Sequence, residues 1–113
     1  MHVIVVGLSH KTAPVEIREK LAVPESRLRE ALSRLCSYPG VREGLLLSTC
    51  NRVEVYAVVE ELETGYGRVQ EFLADTHLSL SSEHLTPHLY WHAGDRAIGH
   101  LFTKGTLKNL PMQ

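Results

Sequence analysis

The residues best suited to covalent chemistry stand together at positions 49–52. Thr49, Cys50, Asn51 and Arg52 follow the short apolar run Leu45-Leu46-Leu47. A cysteine attacks a carbonyl carbon as its thiolate; a nearby guanidinium favours that anion, and Thr and Asn side chains supply hydrogen bonds. The same pattern also fits a small residue packed at a strand end, because free cysteines are among the most buried side chains. Cys36 provides the contrast: it falls on the apolar stripe of a helix, where a packing role is expected.

Seven histidines form the second group. His84, His88 and His92 are spaced by four, which on one continuous helix would present a metal-ligand pair. Pro87 interrupts that run, so surface or polar-core histidines are expected there, and no metal site. His100 is different, because it precedes Leu101-Phe102 on a helix that closes the domain. An unperturbed imidazole titrates near neutrality, so His100 could serve a site as general acid or base. His10, just after the first strand, has a similar claim, and for both the alternative is a histidine with no chemical role. Nucleotide signals fail: no Gly-x-Gly-x-x-Gly follows a strand and no Walker sequence is present. Arg18, Lys20, Arg27, Arg29 and Arg34 make a modest basic cluster that reads as a solvated helical face.

These residues need elements to position them. Residues 2–9 are a β-branched run, apolar on both faces and therefore a central strand, with Gly7 allowing a bend or a close backbone approach. Lys11-Thr12-Ala13-Pro14 turns the chain into a short helix, with Pro14 suited to its first position and Glu16 and Glu19 early, where the helix dipole favours acids. A clearer helix runs from Pro24 to about Tyr38. There Leu28, Ala31, Leu32, Leu35 and Cys36 make one apolar stripe and Pro39-Gly40 end the helix. Residues 45–49 and 53–58 read as strands that meet around Cys50-Asn51-Arg52.

A helix is expected from about Glu63 to Leu78, weakened at its start by Gly65 and Gly67. Residues 81–83 open a short extra turn, residues 88–92 form an edge strand, and residues 95–102 a last helix. The order β-α-α-β-β-α-β-α contains the split β-α-β pattern. The expected fold is therefore a ferredoxin-like α+β sandwich, an antiparallel sheet with helices packed on one face. Residues 104–113 lack a clear period and are expected to be a poorly ordered tail.

Composition bounds the rest. A chain of 113 residues is one domain, able to bury about 65–70% of the surface its unfolded form exposes. Twelve Lys and Arg against thirteen Asp and Glu give a net charge of −1, which excludes nucleic-acid binding by bulk charge though not a local basic patch. Two cysteines are too few for a secreted disulfide scaffold. The opening apolar run has no basic stretch before it and no segment approaches the ~20 apolar residues of a membrane helix, so a cytoplasmic protein with no membrane association is expected.

Three segments together resemble one family, the amino-terminal catalytic domain of glutamyl-tRNA reductases. They are Gly7-Leu8-Ser9-His10-Lys11-Thr12-Ala13-Pro14-Val15 with Arg18-Glu19; Leu47-Ser48-Thr49-Cys50-Asn51-Arg52-Val53-Glu54-Val55-Tyr56; and Leu89-Tyr90-Trp91-His92 leading to His100-Leu101-Phe102. The Ser-Thr-Cys-Asn-Arg stretch combined with His-Lys-Thr-Ala-Pro is highly specific. The match covers residues 1 to about 102, the expected catalytic domain, and leaves 103–113 as a divergent tail.

The resemblance implies a reaction, the NADPH-dependent reduction of glutamyl-tRNA to glutamate-1-semialdehyde at the entry to tetrapyrrole and haem synthesis. By this resemblance Cys50 is the nucleophile that forms a thioester as tRNA leaves. Thr49, Asn51 and Arg52 shape the glutamate pocket, with Arg52 suited to pair with the side-chain carboxylate. His100 matches a histidine the family needs for activity. Glutamyl-tRNA is the implied partner, with the downstream aminomutase a further one in the family context.

The sequence departs from the family after Phe102. The family continues with a basic residue, Val-Ala-x-Gly-Leu-Asp-Ser and a Gly-Glu-Pro-Gln loop, where this chain reads Thr103-Lys104-Gly105-Thr106-Leu107-Lys108-Asn109-Leu110. The expectation is a monomeric catalytic module, truncated after about residue 102. It would lack the NADPH and dimerisation domains, bind no cofactor itself, and be competent at most for thioester formation or slow ester hydrolysis. The alternative is a non-catalytic ferredoxin-like module that binds tRNA or a partner protein with an inert thiol.

Overall fold

The computed structural model describes residues 1–49, 51–76 and 81–103; Cys50, residues 77–80 and residues 104–113 lie outside the described residues, as do the side chains of Ser82, Phe102 and Thr103. The expected tail therefore falls where nothing is described. Eight-residue strands β1 (His2–Ser9), β2 (Val41–Ser48) and β3 (Arg52–Val59) and the four-residue β4 (Tyr90–Ala93) form one sheet in the order β2-β3-β1-β4. Every neighbouring pair is antiparallel. β1 and β2 thus run parallel with β3 inserted between them. The helices are α1 (Val15–Leu21), α2 (Leu28–Cys36), α3 (Leu62–Asp75), the single-turn α4 (Ser82–Leu85) and α5 (Asp95–Thr103). The protein is an α+β fold built on a four-stranded antiparallel sheet.

Alternation along the strands sorts side chains to two faces. Ile4, Val6 and Leu8 of β1 and Val53, Val55, Ala57 and Val59 of β3 join Leu21, Leu35, Val69, Phe72 and Leu73 in the main core. α3 approaches closely because Gly65 faces Val59: a Cβ on Gly65 would lie 2.5 Å from Val59 Cβ. The glycine that weakens the helix by propensity is what lets it dock.

The expectation of helices on one face needs correction. Val5, Tyr56 and Ala97 form a second buried cluster, joined by Val3, Leu47 and Leu101, so α5 covers part of the opposite face. The physical reason is β1 itself, apolar on both faces and so in need of two covering layers. Gly94, with φ of 62°, makes the reversal; its N–H donates to Val3 O at 2.8 Å and its carbonyl accepts from Ala97 and Ile98 at the start of α5.

Cys36 also departs from expectation. The stripe Leu28, Ala31, Leu32 and Leu35 does face the core, but Cys36 is exposed. It is the last residue of α2, turned ~100° from Leu35 about the helix axis, and it is Leu35 that packs on Gly44 of β2. The helix expected to begin at Pro24 opens instead with a 3₁₀ turn, Glu25–Arg27, before α2. Pro14 caps α1 from one residue before it. Among the described residues no helix is long and apolar enough to cross a membrane.

Candidate functional site

The turn that carries Cys50 is closed by its neighbours. Thr49 N–H donates to Arg52 O at 2.8 Å, and Arg52 N–H returns a longer bond to Thr49 O at 3.4 Å. Thr49 Oγ1 accepts from Asn51 N–H at 3.3 Å and reaches Arg52 O at 3.4 Å. The carbonyl of Asn51 accepts from His10 N–H at 2.9 Å, which pins the turn to the segment following β1. That segment is held by its own side chains. Ser9 N–H donates to Thr12 Oγ1 at 2.9 Å, Lys11 N–H to Ser9 Oγ at 3.2 Å, and Thr12 and Ala13 N–H both to Ser9 O. The His-Lys-Thr-Ala-Pro and Thr-Cys-Asn-Arg stretches, about forty residues apart, thus meet as two interlocked turns.

Arg52 begins β3 and points to the face that α5 partly covers. Glu54 and Tyr56 follow on the same face at the two-residue period. Glu54 is completely buried and surrounded by donors. Tyr56 Oη donates to its Oε1 at 3.1 Å, Tyr90 Oη to its Oε2 at 2.5 Å, and His100 Nε2 bonds the same Oε2. Arg52 Nε lies 4.0 Å away. Four elements meet here: β3 supplies the carboxylate, β4 Tyr90, α5 His100, and β1 the side-chain-free Gly7 opposite Glu54. The rings pack tilted against one another, with His100 centred 5.3 Å from Tyr90 and 5.2 Å from His92.

The electrostatics follow from this packing. Burial, then the Glu54 charge, pushes the Tyr56 phenol up, and burial with the Glu54 hydrogen bond does the same to Tyr90. Both hydroxyls therefore keep their protons and act as donors. Burial, then the neighbouring His100 and Arg96, pushes His92 down, so it is held toward its neutral form. A buried carboxylate without such donors would be costly; here its oxygens are occupied by three donors.

The residues singled out in the sequence divide accordingly. Thr49, Asn51 and Arg52 come together, His10 joins them through its backbone, and His100 reaches the same sheet face two positions along β3 from Arg52. Cys50 lies outside the described residues. His84 goes elsewhere, its Nδ1 pairing with Ser81 Oγ at 3.0 Å, whereas His88 Nδ1 bonds Thr12 O at 3.1 Å on the turn that follows β1. Among the described residues no group of three or more His, Cys, Asp or Glu side chains could hold a metal ion. Glu54, Tyr56 and Tyr90 are not singled out by residue type as site residues, and His92 only through its spacing from His84 and His88. Glu54 and Tyr56 read as the polar side of an alternating strand, and only the placement of α5 buries that side. A shallow trough of about 220 Å³ beside Tyr56, between Val3, Leu45 and Val58, extends the same face toward its uncovered end.

Comparison with known proteins decides the lineage. Residues 6–104 match the family model of the glutamyl-tRNAGlu reductase N-terminal domain. The chain belongs to the glutamyl-tRNA reductase family. It is 51% identical over 102 residues to the glutamyl-tRNA reductase of Gloeothece citriformis (strain PCC 7424), covering 89% of this chain and 23% of that protein. It is 49% identical over 102 residues to that of Geotalea uraniireducens (strain Rf4), covering 90% and 23%. The solved glutamyl-tRNA reductase from Methanopyrus kandleri superposes with a TM-score of 0.57 at 28% identity, over 88% of this chain and 21% of that one. The chain thus spans less than a quarter of the length of the curated relatives it matches.

The family resemblance implies NADPH, and the connection from β1 to α1 does not fit its pyrophosphate. A pyrophosphate cradle needs free backbone amides and glycines between a strand and a helix. The Ser9–Pro14 connection has no glycine, its Thr12 and Ala13 amides are already bonded to Ser9 O, and Pro14 carries no N–H.

Proposed function

We propose that this chain is the acyl-transfer module of a glutamyl-tRNA reductase, bounded by residues 1–102, with Cys50 as nucleophile. The supporting observation is the imidazole of His100, bonded to buried Glu54 on the same sheet face as Arg52 and one strand repeat, about 7 Å, from it. An acid–base group and a cation therefore share one sheet face at the start of β3, next in sequence to Cys50. The order β2-β3-β1-β4 supports the ferredoxin-like reading of the scaffold.

In this reading the Cys50 thiol gives its proton to His100 and the sulfur attacks the glutamyl carbonyl carbon of glutamyl-tRNA. The carbon–oxygen bond to the ribose breaks, and His100 returns the proton to the departing ribose oxygen. The product is a thioester on Cys50 and free tRNA. Arg52 pairs with the side-chain carboxylate of the glutamyl group, while Thr49 and Asn51 hold the turn that forms the pocket wall. Reduction of the thioester in tetrapyrrole synthesis is the chemistry that NADPH would supply. An aminomutase receiving the aldehyde, a cytoplasmic setting and a monomeric chain complete the reading.

Alkylation separates this from a binding module with an inert thiol. Cys36 is exposed on the far end of α2 and serves as internal reference. Under limiting iodoacetamide at neutral pH, Cys50 is expected to label at least about tenfold faster than Cys36, because an activated thiol has the larger thiolate fraction. Equal, slow labelling of the two in the folded chain contradicts the proposal.

A further inference from the structure

Glu54 belongs to none of the roles assigned above, yet it is the most completely enclosed charged side chain at the site. The buried phenol of Tyr56, the half-buried phenol of Tyr90 and an imidazole converge on its two oxygens. Gly7 is what makes room for it: a Cβ there would lie 2.8 Å from Glu54 Cγ. A carboxylate this enclosed cannot meet substrate directly while it holds all three donors. Its reach into the site runs through the imidazole.

We propose that Glu54 is a positioning residue that holds His100 with the proton on Nε2, so that Nδ1 is the nitrogen that exchanges a proton with the Cys50 thiol and the ribose oxygen. The inference rests on the functional reading above and assigns an atom to it. A carboxylate is an acceptor only, so the nitrogen facing it carries the hydrogen, and the partner of one ring nitrogen fixes the state of the other. Among the described residues Nδ1 has no hydrogen-bond partner. Tyr56 and Tyr90 hold the carboxylate in turn. Their phenols are pushed up, so they remain donors and do not compete with the imidazole for the role of acceptor. Tyr90 and His100 share Oε2, while Tyr56 holds Oε1, which prevents the carboxylate from rotating away from the ring. The neighbouring imidazole of His92 is held toward neutrality, so it adds little repulsion when His100 takes up a proton.

The test reads the tautomer and the rate separately. In the ¹⁵N-labelled 113-residue chain, ring correlations of neutral His100 are expected to show Nε2 protonated and Nδ1 bare. In Glu54→Gln a single acceptor oxygen faces two hydroxyls and an imidazole, and both tautomers are expected. Glu54→Asp, which keeps the charge and withdraws the oxygens by one methylene, gives the same reading should the glutamine variant fail to fold. Alkylation of Cys50 is expected to fall at least about tenfold in His100→Ala and in Glu54→Gln, with no further fall in the double variant.

A wild-type ring protonated on Nδ1 overturns the positioning role, as does a tautomer ratio indifferent to both Glu54 variants. A rate loss from Glu54→Gln that is equally large without His100 also overturns it. If the tautomer follows Glu54 while His100→Ala leaves Cys50 reactivity unchanged, Glu54 orients the ring but the Nδ1 proton-exchange assignment fails together with the functional reading.

Discussion

Gly7 of β1 lies directly across from Glu54 of β3, and the glutamate side chain folds over the space where a β-carbon would be. A Cβ on Gly7 would stand 2.8 Å from Glu54 Cγ and 2.7 Å from the Val53 carbonyl oxygen. The residue across the strands from Glu54 is thus defined by having no side chain. Gly7→Ala is expected to cost about 1–3 kcal/mol by overpacking, and to reduce Cys50 alkylation more than an equally destabilising change elsewhere. Urea unfolding and labelling rates on the same preparation measure both effects.

Gly65→Ala supplies that comparison. Its Cβ would overlap Val59 at 2.5 Å where α3 docks on the sheet, on the face away from Glu54. It should also lose about 1–3 kcal/mol, with the labelling rate of Cys50 unchanged at temperatures where the variant stays folded. A parallel loss of reactivity would show that the thiol responds to stability in general.

His92 gives a pH signature. Burial and the nearby His100 and Arg96 push it below the ordinary imidazole value of 6.5, while Glu54 acts in the opposite sense. The unfolded chain therefore binds more protons in the window just below pH 6.5, and stability falls as pH drops through that window. Replacing His92 with Gln should flatten this part of the profile of melting temperature against pH, and leave the profile above pH 7 parallel to wild type.

Tyr38 gives the opposite limb. Its hydroxyl donates to Asp75 at 2.5 Å and, through burial and that bond, its phenol is pushed up from 10.0 to about 12. The stabilisation is complete below pH 10 and is lost as pH rises from there toward 12. Tyr38→Phe should lose less stability than wild type over that interval, and should be destabilised by about 1 kcal/mol or less at pH 7, since the bond is partly exposed.

Much of this arrangement could be read from residue types. The both-face apolar character of β1 marked a central strand, the stripe of α2 found the core, and Thr49, Asn51 and Arg52 were placed together by their adjacency. What escaped was the second layer. Period-2 alternation tells which residues of β3 share a face but not whether that face meets water, so the burial of Glu54 and Tyr56 beneath α5 cannot be read from the pattern. The same blindness hid Tyr90 and His92, since a four-residue edge strand carries too short a pattern to assign its faces. Cys36 failed for a related reason: a helical stripe gives the direction of the core, and the last residue of a helix can rotate beyond it.

The central claim is that Cys50 accepts an acyl group, and incubation of the folded chain with glutamyl-tRNA followed by intact mass spectrometry and peptide mapping tests it most directly. The account predicts a single glutamyl adduct, located on Cys50, labile to hydroxylamine and diminished in His100→Ala. A folded chain that binds glutamyl-tRNA yet remains unmodified, or one modified equally on Cys36, would contradict it.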